Sequence, residues 1–308
     1  MDAPSVAVPV RRRRGSDWWA RFLASPWLLL APAAVALAAV AAYPLIYGIR
    51  SSFRTFRYGR DVGSAGFKNF SDVFSDHTFW TALGTTAKYV ALAVSIETLL
   101  GLGLALLVYN QLRFTRFIRV SLLLPMTVAP VVVGVIWRLM YASDIGVVNP
   151  IFSALGLGTP NVLANPGSAF LGVVAVDIWE WTPLLFLIIL AGLQSLPQEP
   201  LEAARVDGAG PMRLFFDHTL PLLRPVLMVA VVLRLIDAVG TFDQIFVLTK
   251  GGPGTSTQLI STYSYNTAFQ FTDYGRAMAM VVSLLVLVVL LSIVAIRLMR
   301  SAAAGVRT

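Results

Sequence analysis

Residues 27–49 and 277–296 each hold about twenty consecutive positions without one charged side chain, the length a helix needs to cross a hydrocarbon core about 30 Å thick. A helix apolar on every face has no stable place at a protein–water boundary, so a chain with such a segment near each end is committed to a bilayer. Composition agrees, with 57% hydrophobic residues, 13% charged and a mean hydropathy of +0.74. Apolar segments at 83–110, 118–141, 170–193 and 226–248 extend the pattern. The expected fold is an all-α polytopic membrane protein whose six transmembrane helices, the last taken to 297, occupy 26–300. A basic segment, 1–25, precedes them, and a short tail, 301–308, follows.

A net charge of +8 and a pI near 10.1 would suggest nucleic acid in a soluble protein, but no aromatic-basic recognition module accompanies it. Here the charge reads as topology. With the amino terminus inside, Arg11–Arg14, Arg21, Arg113, Arg116, Arg119, Arg205, Arg213, Arg224, Arg297, Arg300 and Arg307 fall on the inner side. They outnumber Arg50, Arg54, Arg57, Arg60, Lys68, Lys250 and Arg276 outside, so both termini and the 196–225 loop are expected in the cytoplasm. The first outer loop carries most of the outer positives, partly offset by Asp61, Asp72 and Asp76, and is either solvated or faces an acidic partner. The early Arg run resembles an export signal, yet the apolar stretch after it exceeds a signal's usual length and is expected to stay as an anchor.

Several chemistries are excluded. The chain has no Cys, so disulfides, thiol catalysis and thiolate metal sites do not arise. His77 and His218 stand alone, no zinc-binding or serine-hydrolase spacing occurs, and no G-x-x-x-x-G-K-[ST] loop is present to cradle ATP. Neither a metal nor a catalytic residue is expected, and energy for any transport must come from elsewhere.

One polar island, EAARVDGAGPMRLFFDHTLPLLRP at 202–225, has a helix–turn–helix grammar. Pro200 suits a first helical turn, and Glu199 and Glu202 place negative charge at the positive end of the dipole. Gly208 and Gly210 should stop that helix, Pro211 should open a second, and Pro221 and Pro225 should end it.

Those residues closely resemble the EAA loop of ABC-importer permeases: Glu202, Ala203, Ala204, then Asp207, Gly208, Ala209, then Leu220, Pro221 and Pro225 stand in the family's order. His218 departs from the pattern, since the family usually carries an apolar residue there. In that family the loop forms the coupling helix seated in a cleft on a cytoplasmic ATPase, which implies that Glu202 and Gly208 lie at that contact. Residues 242–280, with Gly251, Gly252, Pro253 and Thr257, resemble the maltose and glycerol-3-phosphate permeases, and 122–141 resembles their third core span. The resemblance implies one of two homologous permease subunits of a bacterial sugar importer in the cytoplasmic membrane. Its partners would be the second permease, two ATP-binding subunits that hold ATP and Mg, and an extracytoplasmic sugar-binding protein. The implied solute is a disaccharide such as trehalose or maltose, with glycerol-3-phosphate or another glycoside as the alternative.

The remaining polar residues lie within spans. Arg234, Asp237, Thr241 and Gln244 recur at helical spacing and should share one face of the fifth span, with Asp243 on a flanking face. Each charge at a bilayer centre costs roughly 2.5 to 3.5 kcal/mol, so the stripe should face other helices or a wet pathway. Arg234 and Asp237 either neutralise each other or help line a path for a hydroxyl-rich solute. In the fourth span Asp177, Glu180 and Trp181 share a face and could hold a sugar, or could mark an interfacial belt with Trp179. Lys88 and Glu97 fall on opposite faces of the second span, so they are not each other's partners, and each should pair across the bundle or snorkel. A proton-coupled carrier using Asp177, Asp237 and Asp243, or a membrane-embedded glycosyltransferase, would also use intramembrane acids, but neither explains the loop.

Overall fold

The computed structural model describes residues 26–109, 120, 122–156 and 158–304. The expected basic segment 1–25, the connection 110–119 with Arg113, Arg116 and Arg119, and the tail from 305 lie outside the described residues. The chain divides into two units, Met1–Arg50 and Ser51–Thr308. The first is described by α1 (Pro26–Ser52), which keeps Pro32 and Pro44 within its length.

The second unit opens with a hairpin, β1 (Arg54–Arg57) and β2 (Arg60–Ser64), turned at Tyr58 and Gly59, which both take positive φ. After α2 (Lys68–Phe74) comes α3 (His77–Tyr109), whose buried residues Phe79, Ala82, Thr86, Tyr89, Ala93, Glu97, Gly101 and Ala105 recur every three or four positions. That stripe packs along α6 (Pro166–Gln194). A Cβ on Gly101 would stand 3.0 Å from both Leu185 Cβ and the Phe186 amide nitrogen, so the small residue is what lets the two backbones approach.

Between them, the expected 118–141 span is broken. A 3₁₀ turn (Pro125–Thr127) precedes α4 (Pro130–Met140), and α5 (Val148–Ala154) follows. Pro125 and Pro130 donate nothing to a helical ladder, and Val128 and Ala129 between them are extended, with ψ of 136° at each. The eleven residues of α4 reach only about 16 Å, short of a crossing.

The expected 226–248 span is likewise two pieces. After α7 (Gln198–Val206), a helical run begins with α8 (Pro211–Arg213), widens into a π turn (Leu214–Thr219) and continues as α9 (Leu220–Val239). Pro221 and Pro225 therefore do not end the second short helix, as the local rule has it. The Leu220 amide bonds the Phe215 carbonyl five residues back, so the ladder is already in a wider register when it meets Pro221. The break comes instead at Gly240, and α10 (Asp243–Leu248) starts after it. A solute-facing stripe of Arg234, Asp237, Thr241 and Gln244 on one helix is thus corrected: Thr241 lies in the link and Gln244 on the next helix.

The chain closes with α11 (Ile260–Phe269) and α12 (Tyr274–Ala304), packed on each other. Among the described residues, four helical stretches are long and apolar enough to cross a membrane: Leu30–Ser52, His77–Tyr109, Pro166–Gln194 and Tyr274–Arg297. The expected third and fifth spans are not among them, for the breaks just described. The fold is that of a mostly helical membrane protein.

Candidate functional site

Arg234 of α9 is fully buried, and every polar corner of its guanidinium is occupied. Nε donates to Glu97 Oε2 at 2.8 Å and Nη2 to Glu97 Oε1 at 3.1 Å, a two-point clamp from α3. Nη2 also donates to Asp177 Oδ2 of α6, and Nη1 to Asp237 Oδ2 at 2.8 Å. The Arg234 Cζ lies over the Trp181 ring, 5.2 Å from the centroid. Gln244 of α10 completes the set, its Nε2 donating to Asp177 Oδ1 at 2.7 Å and to the Tyr89 hydroxyl at 3.2 Å. Four helices meet in one hydrogen-bonded group, and that satisfaction is what makes buried charge tolerable in so apolar a setting.

The structure brings Asp177, Glu180, Trp181, Arg234, Asp237 and Gln244 to one place, and sets Thr241 beside them. A cavity of about 360 Å³ is lined by Pro130, Trp181, Ile236, Asp237, Gly240, Thr241, Phe242, Asp243 and Gln244. Of the two roles open to Arg234, the geometry favours bracing: it is absent from the lining and clamped chiefly by Glu97 and Asp177. Asp237 is different, since half of its side chain remains accessible. Asp177 and Glu180 are buried rather than at a water boundary, while Trp179 is exposed. Thr241 turns its carbonyl to the Ser261 hydroxyl at 2.6 Å, which holds the link to α11.

Two members were missed by the sequence reading. Glu97, expected to pair across the bundle or snorkel, pairs with Arg234 and so belongs to the site, and Tyr89 joins it through Gln244. The available signal was the solitary acid in the apolar run of α3, because an ionisable residue at membrane depth marks a site by default.

At one end of the bundle the Glu202 loop takes a definite shape. Pro197 is extended and α7 starts after it. The Gly208 amide bonds the Arg205 carbonyl at 3.1 Å and the Ala209 amide bonds the Ala204 carbonyl at 2.9 Å, a Schellman stop. It requires the left-handed φ of +84° at Gly208. Within the motif, then, Asp207-Gly208-Ala209 is the stop of the helix carrying Glu202-Ala203-Ala204. Leu201 and Ala204 are buried, whereas Glu202, Ala203 and Asp207 are exposed alongside Val206, Met212 and Phe216. Leu220 and Pro221 form the junction into α9, and His218 is half-buried in the π turn.

The other end is pinned by charge. Asp76 accepts from the Tyr263 hydroxyl, from Arg276 Nη2 at 2.5 Å and, through Oδ1, from the Thr78 amide at 2.9 Å. Burial pushes the Asp76 carboxyl up, but these donors together outweigh it and hold the group below its ordinary value of 3.8. Burial, then the bond to Asp76, raises the Tyr263 hydroxyl to about 12.

Comparison with known proteins places this architecture. Residues 97–308 match the family described as binding-protein-dependent transport system inner membrane component. A trehalose/maltose transport system permease protein of Thermococcus litoralis is 41% identical over 235 residues, covering 76% of this chain and 79% of that protein. A trehalose transport system permease protein of Mycobacterium tuberculosis is 32% identical over 303 residues, covering 97% of this chain and 96% of the other. The crystal structure of a bacterial ABC transporter involved in the import of the acidic polysaccharide alginate contains a chain of the same fold. Its TM-score is 0.78 at 23% identity, over 93% of this chain and 99% of that one. The match over two thirds of the chain and relatives this similar show that the chain belongs to the family of binding-protein-dependent transport system inner membrane components.

Proposed function

We propose that this chain is a permease subunit of an ATP-driven bacterial sugar importer, contributing half of the translocation pathway. One observation carries the reading: α6 and α9, joined covalently through the Glu202 loop, also meet at the pathway, where Asp177 of one holds Arg234 of the other. A displacement of the loop therefore acts on both helices that carry the polar centre. The loop lies in the cytoplasm, as do both termini, in keeping with the balance of Arg and Lys. The exposed Glu202, Ala203, Val206 and Asp207, with Met212, form the surface that docks an ATP-binding subunit. Two such subunits hold ATP and Mg, and a second homologous permease and an extracytoplasmic sugar-binding protein complete the assembly.

Closure of the ATP-binding pair moves the loop, and the Schellman-stopped α7 passes that movement on as a rigid piece. The cavity beside Trp181 then changes its access. Trp181 offers a face to a sugar ring, while Asp237, Thr241 and Gln244 offer hydrogen-bonding groups to hydroxyls. Relatives described as trehalose and maltose permeases favour a disaccharide of that kind.

The test is uptake into proteoliposomes holding the complete complex and its binding protein. ATP-dependent accumulation of labelled trehalose or maltose is expected. Uptake that ignores ATP and collapses with an uncoupler would replace the importer with a proton-coupled carrier.

A further inference from the structure

We propose that the cavity beside Trp181 is an electrostatic filter that admits uncharged or cationic hydroxyl-rich glycosides and turns away anionic ones, with Asp237 and Asp243 setting the sign. This deepens the reading above, naming the charge class of the solute at that same pathway. Among the described residues the lining carries Asp237 and Asp243 and no Lys or Arg. Arg234, the basic group bonded to this centre, is wholly buried, absent from the lining, and held through all three of its guanidinium nitrogens by Glu97, Asp177 and Asp237, so it does not present its charge to a solute carboxylate or phosphate. Arg138 of α4 spends Nη1 on the Val247 carbonyl at 3.2 Å and lines a separate cavity with Tyr141, Ser143 and Asn161.

A second observation points to a ligand. Gln244, only 1% exposed, forms part of the cavity wall, and its Oε1 accepts no hydrogen bond among the described residues. Its Nε2 is committed to Asp177 and Tyr89, which fixes the amide so that the wall keeps an acceptor and offers no donor from that residue. The oxygen is itself buried, and a hydroxyl or ammonium that reached it would supply the donor it lacks. A carboxylate does not, and meets two like charges in a setting of low dielectric, where repulsion is far stronger than in water. Discrimination of this kind works by rejecting the wrong partner as much as by holding the right one.

Because the chain has no Cys, the sign of the cavity can be read directly, without knowing the sugar. In the assembled complex, with partner subunits free of reactive thiols, Thr241→Cys is treated with a cationic and an anionic methanethiosulfonate reagent, and the rate ratio is compared with that on a free thiol. The cationic reagent is expected to be favoured at least tenfold beyond the free-thiol ratio, and Asp237→Asn with Asp243→Asn should bring the excess down toward unity. A ratio equal to that of the free thiol, or no reaction with either reagent, overturns the filter. Should the double substitution disturb assembly, Asp243→Asn alone, outside the Arg234 group, is expected to remove part of the excess. An excess unchanged by Asp243→Asn would contradict its assignment. Failure of the sugar reading shows separately, as absent ATP-dependent uptake of neutral disaccharides by the unsubstituted complex.

Discussion

Arg234 of α9 and Glu97 of α3, 137 positions apart in the chain, meet through two bonds of 2.8 and 3.1 Å with both side chains fully buried. Such a pair adds little over well-packed apolar side chains, but removing one partner strands the other charge.

Glu97→Ala is therefore expected to destabilise the complex by about 3–5 kcal/mol, seen as a lower midpoint in detergent thermal unfolding. Glu97→Leu combined with Arg234→Met and Asp177→Asn should recover much of that loss, because no fully buried partner of Arg234 is then left charged, Asp237 being half accessible. A triple variant as unstable as the sum of the singles would contradict the grouping.

Gly134 of α4 positions α10, and through it Gln244. A Cβ there would stand 2.9 Å from Val247 Cβ and 3.2 Å from Gln244 Cα. Gly134→Ala should cost about 1–3 kcal/mol and slow uptake, whereas Gly103→Ala, with open space around it, should do neither. Equal behaviour of the two variants would remove the packing argument.

The loop offers a test of docking without loss of fold. Gly208→Pro cannot hold the left-handed φ of +84° or donate to the Arg205 carbonyl. Glu202→Lys reverses an exposed charge instead. Both are expected to insert normally and to co-purify at least several-fold less ATP-binding subunit; normal recovery with either would count against a docking role.

Asp76 and Tyr263 predict a pH window. A carboxyl held below its ordinary value of 3.8 adds stability that is present above that value and lost as acid protonates it. A phenol raised from 10.0 to about 12 adds stability that is present below pH 10 and lost as the hydroxyl ionises. From this contact, stability in detergent should be level between about pH 5 and 9 and fall beyond both edges. Tyr263→Phe should cost about 1–2 kcal/mol and blunt the alkaline edge, and an unchanged alkaline limb would refute the contact's share.

What was legible depended on how local the cause is. Four spans could be read from apolar length, and the α7 stop from Gly208, because one residue's backbone freedom decides it. The break at Gly240 was hidden: the spacing of Arg234, Asp237, Thr241 and Gln244 stays helical across it, and the Ser261 hydroxyl that holds the Thr241 carbonyl comes from twenty residues away. Pro221 misled in the opposite direction, since the π turn that accommodates it involves residues with no individual signature. Gln244 reached the site for a reason other than the one its spacing suggested, arriving from α10 rather than along α9. The choice of Glu97 as Arg234's partner needed the packing of α3 on α9, which no single helix encodes.

The central claim is that the Glu202 loop sits on the inner side against an ATP-binding subunit and drives the helices it joins. A single cysteine at Ala203→Cys, in a chain that otherwise has none, tests it most directly. The account predicts labelling by a membrane-impermeant maleimide in inside-out vesicles only, protection when the ATP-binding subunits are added, and a cross-link to them that stops uptake. Labelling from the outer face, or equal labelling with and without those subunits, would contradict it.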